Sequence, residues 1–228
     1  MDAKLLKASQ SSDAKMLDCE FTILEGPHAR RKFWQSFTVA GGSLLDVACG
    51  RSRISVGQVV LTTGWSAGEL SAQCGYPVPI QPAKGYSVTV ARPPRCPATP
   101  FMLTEAKVAV TPLGETLRFA GTLELAGMDL TINQRRVGAL LRAIRDYVPD
   151  YDPEQFDVRE IWRGLRPCTP DGLPLLGRSQ QYDNLTLAAG HASIGMSLAP
   201  ASGQLVARLV ERWEPGMDIS LLRVERFV

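Results

Sequence analysis

Residues 161–203 read IWRGLRPCTPDGLPLLGRSQQYDNLTLAAGHASIGMSLAPASG, and the succession of textures in this stretch decides the fold. A strand-like run over residues 160–165 leads into a Pro/Gly-rich turn over 167–174, then into short apolar strands at 174–177 and 185–189. A helix follows near 196–213, with Leu198, Ala201, Leu205, Leu209 and Trp213 at helical spacing. Gly190 and Gly195 stand where the last strand meets that helix, and glycine there permits close approach of a ligand to the backbone. The free N–H groups and positive end of a helix favour an anion or a developing negative charge. A tight turn selected for packing alone fits the same residues.

Working outward, residues 59–63 (VVLTT) are continuously apolar or β-branched and end at Gly64, which suits a strand buried on both faces. Residues 66–73 read as a short helix, 84–90 as a strand, and 106–112 with 115–121 as a hairpin about Gly114. Asn133 is a good N-cap for a helix carrying Val137, Leu140, Leu141, Ile144 and Val148 on one face and stopping before Pro149. Ahead of residue 63 lie the short β-type runs EFTIL, FWQSFTVA, LLDVA and RISV, separated by Gly26-Pro27, Gly41-Gly42 and Gly50. Residues 3–17 are expected to form a short helix interrupted at Ser11, Ser12 and Asp13. Strands and helices alternate without a regular βαβ rhythm, so the fold class is α/β with α+β character, a mixed-sheet chain.

Composition narrows the function. The 228 residues carry Lys+Arg 25 against Asp+Glu 23, a balance that excludes a dedicated nucleic-acid binder. Arg30-Arg31-Lys32 beside Phe33-Trp34 reads as solvated surface, as do Arg135, Arg136, Arg142 and Arg145. Five scattered cysteines and two histidines lack metal-site spacing, so no metal is expected. No apolar run approaches a transmembrane length and the first residues lack a signal peptide, giving the expectation of a cytoplasmic protein.

Arg166 ends a strand just before Pro167, where a guanidinium can grip a carboxylate in bidentate fashion or pair with Asp171 to pin its own loop. Tyr86 lies on the expected strand 84–90 and Arg118 in the expected hairpin, Tyr86 either covering a ligand or packing as an ordinary strand residue. Lys84 stands either near a cofactor or as a snorkelling residue at a strand entry. His191 reads either as part of the glycine turn's chemistry or as a capping residue.

The blocks WRGLRPCTPDGLPLLG and NLTLAAGHASIGMSLAPASGQLVARLV, preceded by VVLTTGWSAG, PIQPAKGYSVTV and KVAVTPLGETLRFAGTLELAGMD, together resemble the FAD-dependent amino-acid oxidoreductases. That group includes D-amino-acid dehydrogenase, glycine oxidase and sarcosine oxidase relatives, and the first of these is the nearest branch. The resemblance implies FAD as cofactor and an amino acid or related amine as substrate, oxidised at its CH–NH bond by hydride transfer to flavin N5. It implies a partial FAD-binding domain over residues 1–75, an inserted mixed-sheet substrate domain over 76–157, and a return to the FAD-binding domain over 158–228. Arg166 would hold the substrate carboxylate, with Tyr86 and Arg118 near it. Thr63, Gly64 and Trp65 would line the flavin site, and so would Gly190, His191, Ala192, Ser193, Ile194, Gly195, Met196 and Ser197. No G-x-G-x-x-G, the pyrophosphate-binding fingerprint of such folds, occurs in the sequence. The expectation is therefore a chain that starts inside the cofactor domain. Three states fit it: a fragment of a longer flavoenzyme, one subunit of a split enzyme whose Rossmann half is a separate chain, or a non-catalytic remnant. A quinone acceptor would place the protein at the inner membrane surface.

Overall fold

The computed structural model describes the backbone of residues 2–11, 14–22, 32–40, 43–49 and 52–227, and the side chains of residues 56–227. The chain begins with β1 (Asp2–Ser11), β2 (Ala14–Thr22), β3 (Lys32–Ala40), β4 (Ser43–Cys49) and β5 (Ser52–Ser55). They form an antiparallel sheet in sequential order. The helix expected over residues 3–17 is thus replaced by two paired strands, with Ser11, one of the residues expected to interrupt the helix, ending β1 opposite Ala14. A short helix broken at its middle is marginal, whereas β1 gains a ladder against β2, from Asp2↔Thr22 to Ser11↔Ala14 with one register shift between Leu6 and Ser9. The turns at Gly26-Pro27, Gly41-Gly42 and Gly50, and Arg30 and Arg31 of the basic patch, lie outside the described residues, while Lys32 opens β3.

The strand β6 (Val59–Leu61) leads through a 3-10 turn, Gly64–Ser66, into the helix α1 (Ala67–Gln73). The chain divides into two compact units, one formed by Met1–Gln81 with Pro167–Val228, the other by Pro82–Arg166. In the second unit, β7 (Gln81–Ala91), β8 (Phe101–Leu103), β9 (Val108–Leu113), β10 (Thr116–Glu124) and β11 (Val158–Cys168) form one sheet in the order β11-β7-β10-β9-β8. Side chains alternate between the faces of a strand, and the two faces here differ. Val88, Val90, Leu117, Phe119 and Val110 are fully buried in a core shared with Val137, Leu140 and Ile144 of the helix α2 (Gln134–Tyr147). Asn133 caps that helix as expected, its side chain accepting from the Arg135 N–H at 3.1 Å. The expected hairpin forms with Gly114 at φ +55.

A network of polar groups closes one end of this core. Lys84, wholly buried, donates to Asp129 Oδ2 at 2.9 Å and Thr131 O at 3.0 Å, and lies 3.4 Å from Glu124 Oε2. The register of β10 shifts between Gly121 and Leu123, with Thr122 at φ +55, so that Glu124 stands opposite Lys84. Glu124 accepts from the Tyr86 hydroxyl at 2.6 Å and from Asn133 Nδ2 at 3.2 Å, tying the sheet to the start of α2. Burial alone would lower the Lys84 pKa, but its hydrogen bonds to Asp129, Tyr86 and Glu124 raise it. The Thr131 backbone N–H and Lys84 bring Asp129 down to about 2.

In the first unit, β12 (Leu175–Arg178) and β13 (Leu185–Ala189) are antiparallel, and β13 runs parallel to β6 with Leu187 opposite Leu61. The helix α3 (Gly195–Val210) packs Leu205 and Leu209 against Leu176 and Ala188. Two expectations change here. Residues 59–63 are not buried on both faces: Val60 is 37% exposed, and among the described residues β6 stands at the edge of its sheet. Trp213 does not continue the apolar helix face. The helix ends before it, with the Trp213 N–H on Arg208 O, the Arg212 N–H on Leu209 O and Arg212 at φ +59. This is a Schellman closure with an arginine where glycine is preferred.

Arg212→Gly should therefore stabilise the chain by about 0.5–1 kcal/mol, relief of the left-handed backbone outweighing glycine's greater unfolded-state freedom; a thermal melt that falls contradicts this. Lys84→Met should destabilise the second unit by about 2–4 kcal/mol at neutral pH, because two carboxylates lose their buried cation. The depressed carboxyls contribute stability above the usual carboxylate range and lose it as pH falls through their folded values. The gap between variant and parent in urea unfolding should accordingly shrink at about pH 3.

Candidate functional site

The face of the second unit's sheet that α2 leaves uncovered carries a cleft of about 320 Å³ lined by Tyr86, Ser87, Arg118, Ala120, Glu160, Trp162 and Arg166. Its geometry follows from strand alternation. Glu160, Trp162, Gly164 and Arg166 are every second residue of β11, while Arg118 and Ala120 of β10 stand opposite Thr89 and Ser87 of β7. Arg166 Nε is buried and has no hydrogen-bond partner among the described residues. The guanidinium lies beside Gly85, where an added Cβ would come 3.0 Å from Nη2 and 3.1 Å from Nε. Glycine at 85 is what lets the cation rest on the strand. Asp171, the alternative partner for Arg166, is held instead by Arg226 through two hydrogen bonds of 2.7 and 2.9 Å, which keep its carboxyl well below the usual carboxylate range.

The structure brings Arg166, Arg118 and Tyr86 to one cleft. Arg118 donates from Nε to Thr89 Oγ1 at 3.0 Å and places Nη2 3.6 Å from Glu160 Oε2. The Tyr86 ring is 1% exposed, with its hydroxyl committed to Glu124, so the residue meets the cleft from inside the core. Lys84 is ion-paired within the core and does not snorkel. Glu160 and Trp162 escaped the sequence reading, although the two-residue spacing from 160 to 166 marks them as sharing the face of Arg166.

On the first unit, β6 and β13 are parallel and leave the sheet at the same carboxyl edge, where open α/β sheets bind ligands. Thr63, Gly64 and Trp65 follow β6 there, Gly64 at φ +61. Beyond β13, Gly190 takes φ +79 and Ala192 φ +46, the latter an uncommon conformation for a residue with a side chain. A Cβ on Gly190 would stand 2.7 Å from Thr169 Cγ2, so the turn admits no larger residue. The Ala192 N–H bonds Pro167 O at 3.0 Å and fixes the turn's path. His191 Nε2 meets Ser202 Oγ at 2.8 Å, and burial lowers its pKa, which keeps the ring neutral at ordinary pH. No side chain caps α3, and Leu198 is the first residue whose N–H reaches a helical carbonyl, Ile194 O. By helix geometry the N–H groups of Gly195, Met196 and Ser197 point outward past Met196, itself 92% exposed. An uncapped helix start behind a glycine turn fits the electron-rich edge of a flavin. Among the described residues no helix is long and apolar enough to cross a membrane.

Comparison with known proteins gives these features a context. A family profile described as FAD dependent oxidoreductase (DAO) matches residues 28–209. The D-amino acid dehydrogenase of Xanthobacter autotrophicus is 35% identical over 189 residues, covering 82% of this chain and 44% of that protein. The D-amino acid dehydrogenase of Paramagnetospirillum magneticum is 35% identical over 224 residues, covering 96% of this chain and 52% of that protein. Glycine oxidase from Geobacillus kaustophilus superposes with a TM-score of 0.73 at 31% identity, over 80% of this chain and 49% of that one. L-proline dehydrogenase from P. horikoshii shares the fold, with a TM-score of 0.75 over 84% of this chain and 52% of that one, at 22% identity. The chain spans about half the length of the curated relatives it matches. With a match that runs from the first antiparallel sheet to the end of α3, this chain belongs to the FAD-dependent oxidoreductase family.

Proposed function

We propose that the chain carries the carboxylate-binding cleft and the flavin-facing turn of an oxidoreductase that oxidises the CH–NH bond of a D-amino acid or related amine. The observation that carries this reading is the buried Nε of Arg166, which meets no acceptor among the described residues at the lining of the cleft. A buried donor without an acceptor is costly, and a carboxylate supplies the planar two-oxygen acceptor that a guanidinium matches. The names of the curated relatives support an amino acid as the source of that carboxylate.

The residues that would hold FAD are Thr63, Gly64 and Trp65 at the end of β6 and the turn from Gly190 to Ser197, whose outward N–H groups stabilise negative charge at the N1–C2=O edge. The chemistry FAD supplies when bound is two-electron acceptance at N5 from the substrate Cα–H bond, which leaves an imino acid for water to hydrolyse. The protein's own work is alignment more than proton transfer. Arg166 fixes the carboxylate and thereby the direction of the Cα–H bond, while neutral His191, held by Ser202, steadies the turn.

In the flavin-loaded protein, Arg166→Ala should raise KM for amino-acid substrates by the equivalent of about 2–4 kcal/mol, with the larger part of the loss in kcat/KM. Initial rates across a substrate series decide it, and an unchanged KM removes Arg166 from the carboxylate site. Gly195→Leu should reduce flavin retained after desalting, since the new side chain stands at the helix start beside His191, where even a Cβ comes within 3.3 Å. Full retention of the visible flavin spectrum in that variant places the cofactor elsewhere.

A further inference from the structure

The charges that line the cleft are three: Arg166, Arg118 and Glu160. Arg118 and Glu160 face each other at 3.6 Å, and Arg118 is also tied to Thr89, so these two offset one another. One uncompensated positive charge remains, at Arg166, which matches one carboxylate. The two charged ends are separated along the sheet. Arg166 rests beside Gly85 and Arg118 is anchored at Thr89, four residues on, a span of about 13 Å at strand rise. Between Glu160 and Arg166 on β11 stands Trp162, half exposed, its ring lying over Gly164, where an added Cβ would fall 2.1 Å from Cη2. The missing side chain at Gly164 lets the indole lie along the sheet and offer a flat apolar wall to the cleft.

We infer that this cleft selects amino acids with uncharged, apolar side chains: Trp162 is the surface on which the side chain rests, and the Arg118–Glu160 pair turns away a second carboxylate. The inference rests on the reading of Arg166 as the carboxylate site. A dicarboxylic ligand would have to place its second carboxylate against Glu160 while Arg118 is already engaged, whereas an apolar side chain covers the Trp162 ring and leaves the ion pair intact.

The test is an NMR titration of the full 228-residue chain with 3-phenylpropionate and with glutarate at matched ionic strength, which reads binding without turnover. The unmodified chain should bind 3-phenylpropionate about ten-fold more tightly than glutarate. Glu160→Gln, which frees Arg118 at a half-exposed position, should bring the ratio to about one or invert it. Trp162→Ala should weaken 3-phenylpropionate about ten-fold and leave glutarate unchanged. Arg166→Ala should abolish binding of both acids, with partial return in Arg166→Lys. An unchanged preference in Glu160→Gln and Trp162→Ala, alongside loss of both acids in Arg166→Ala, overturns the selectivity and spares the Arg166 reading. Parent-like binding by Arg166→Ala, or no saturable binding of either acid to the unmodified chain, overturns that reading and the selectivity with it.

Discussion

A guanidinium comes down onto the backbone of a neighbouring strand only where that strand presents no Cβ beneath it, and the cleft of this protein is organised by that constraint. Gly85 leaves the space in which Arg166 rests, and Gly164 leaves the space over which Trp162 spreads. Neither glycine has a backbone that requires it; both are absent from the residues with positive φ. Their use is steric, and it converts a flat sheet face into a shaped one. The buried Nε of Arg166 has no acceptor among the described residues. Such a group costs about 1–3 kcal/mol of folding stability, and that deficit is returned when an acceptor enters.

A face that carries an unsatisfied cation needs its opposite face to be secure. The second unit meets that need with a close-packed core beneath α2 and with the Lys84, Glu124 and Asp129 network at its end. The network joins elements that are distant in sequence: the entry of β7, the end of β10 and the turn before α2. Tyr86 belongs to both faces in the sense that its ring fills the core while the strand it sits on floors the cleft. Rigidity on the apolar side thus holds the polar side in register.

Much of this was legible in the sequence because the signals were local. The Asn133 cap, the hairpin at Gly114, the strand over 185–189 and the Gly190 turn ahead of α3 each state their structure within a few residues. The beginning of the chain was not legible: residues 3–17 carry helix-compatible leucines, and only pairing with the strand that follows decides for β1 and β2. At the cleft, Arg166 stood out by its place before a proline, but Glu160 and Trp162 did not. Their function depends on a face that becomes the open one only after α2 covers the other. Lys84 misled for a related reason, since its partners Glu124 and Asp129 are brought to it by a bulge that no local pattern announces. Val60 reads as core, and an edge position in the sheet leaves it partly open.

The two units differ in how the chain is threaded through them, and this bears on the order in which the protein assembles. The second unit is one continuous run, Pro82–Arg166, in which β8, β9 and β10 follow one another through short turns as sheet neighbours. The first is discontinuous, and the ladder between β6 and β13 pairs Val59 with Leu185, across the whole of the inserted unit. Contacts between residues close in sequence form early, while closing a long loop costs entropy before any pairing rewards it. The cleft of the second unit should therefore be built while the sheet edge bearing the Gly190 turn is still waiting for the residues beyond Arg166. The ladder between β6 and β13 therefore closes only once the residues beyond Arg166 are in place, and the turn at Gly190 takes its final position last.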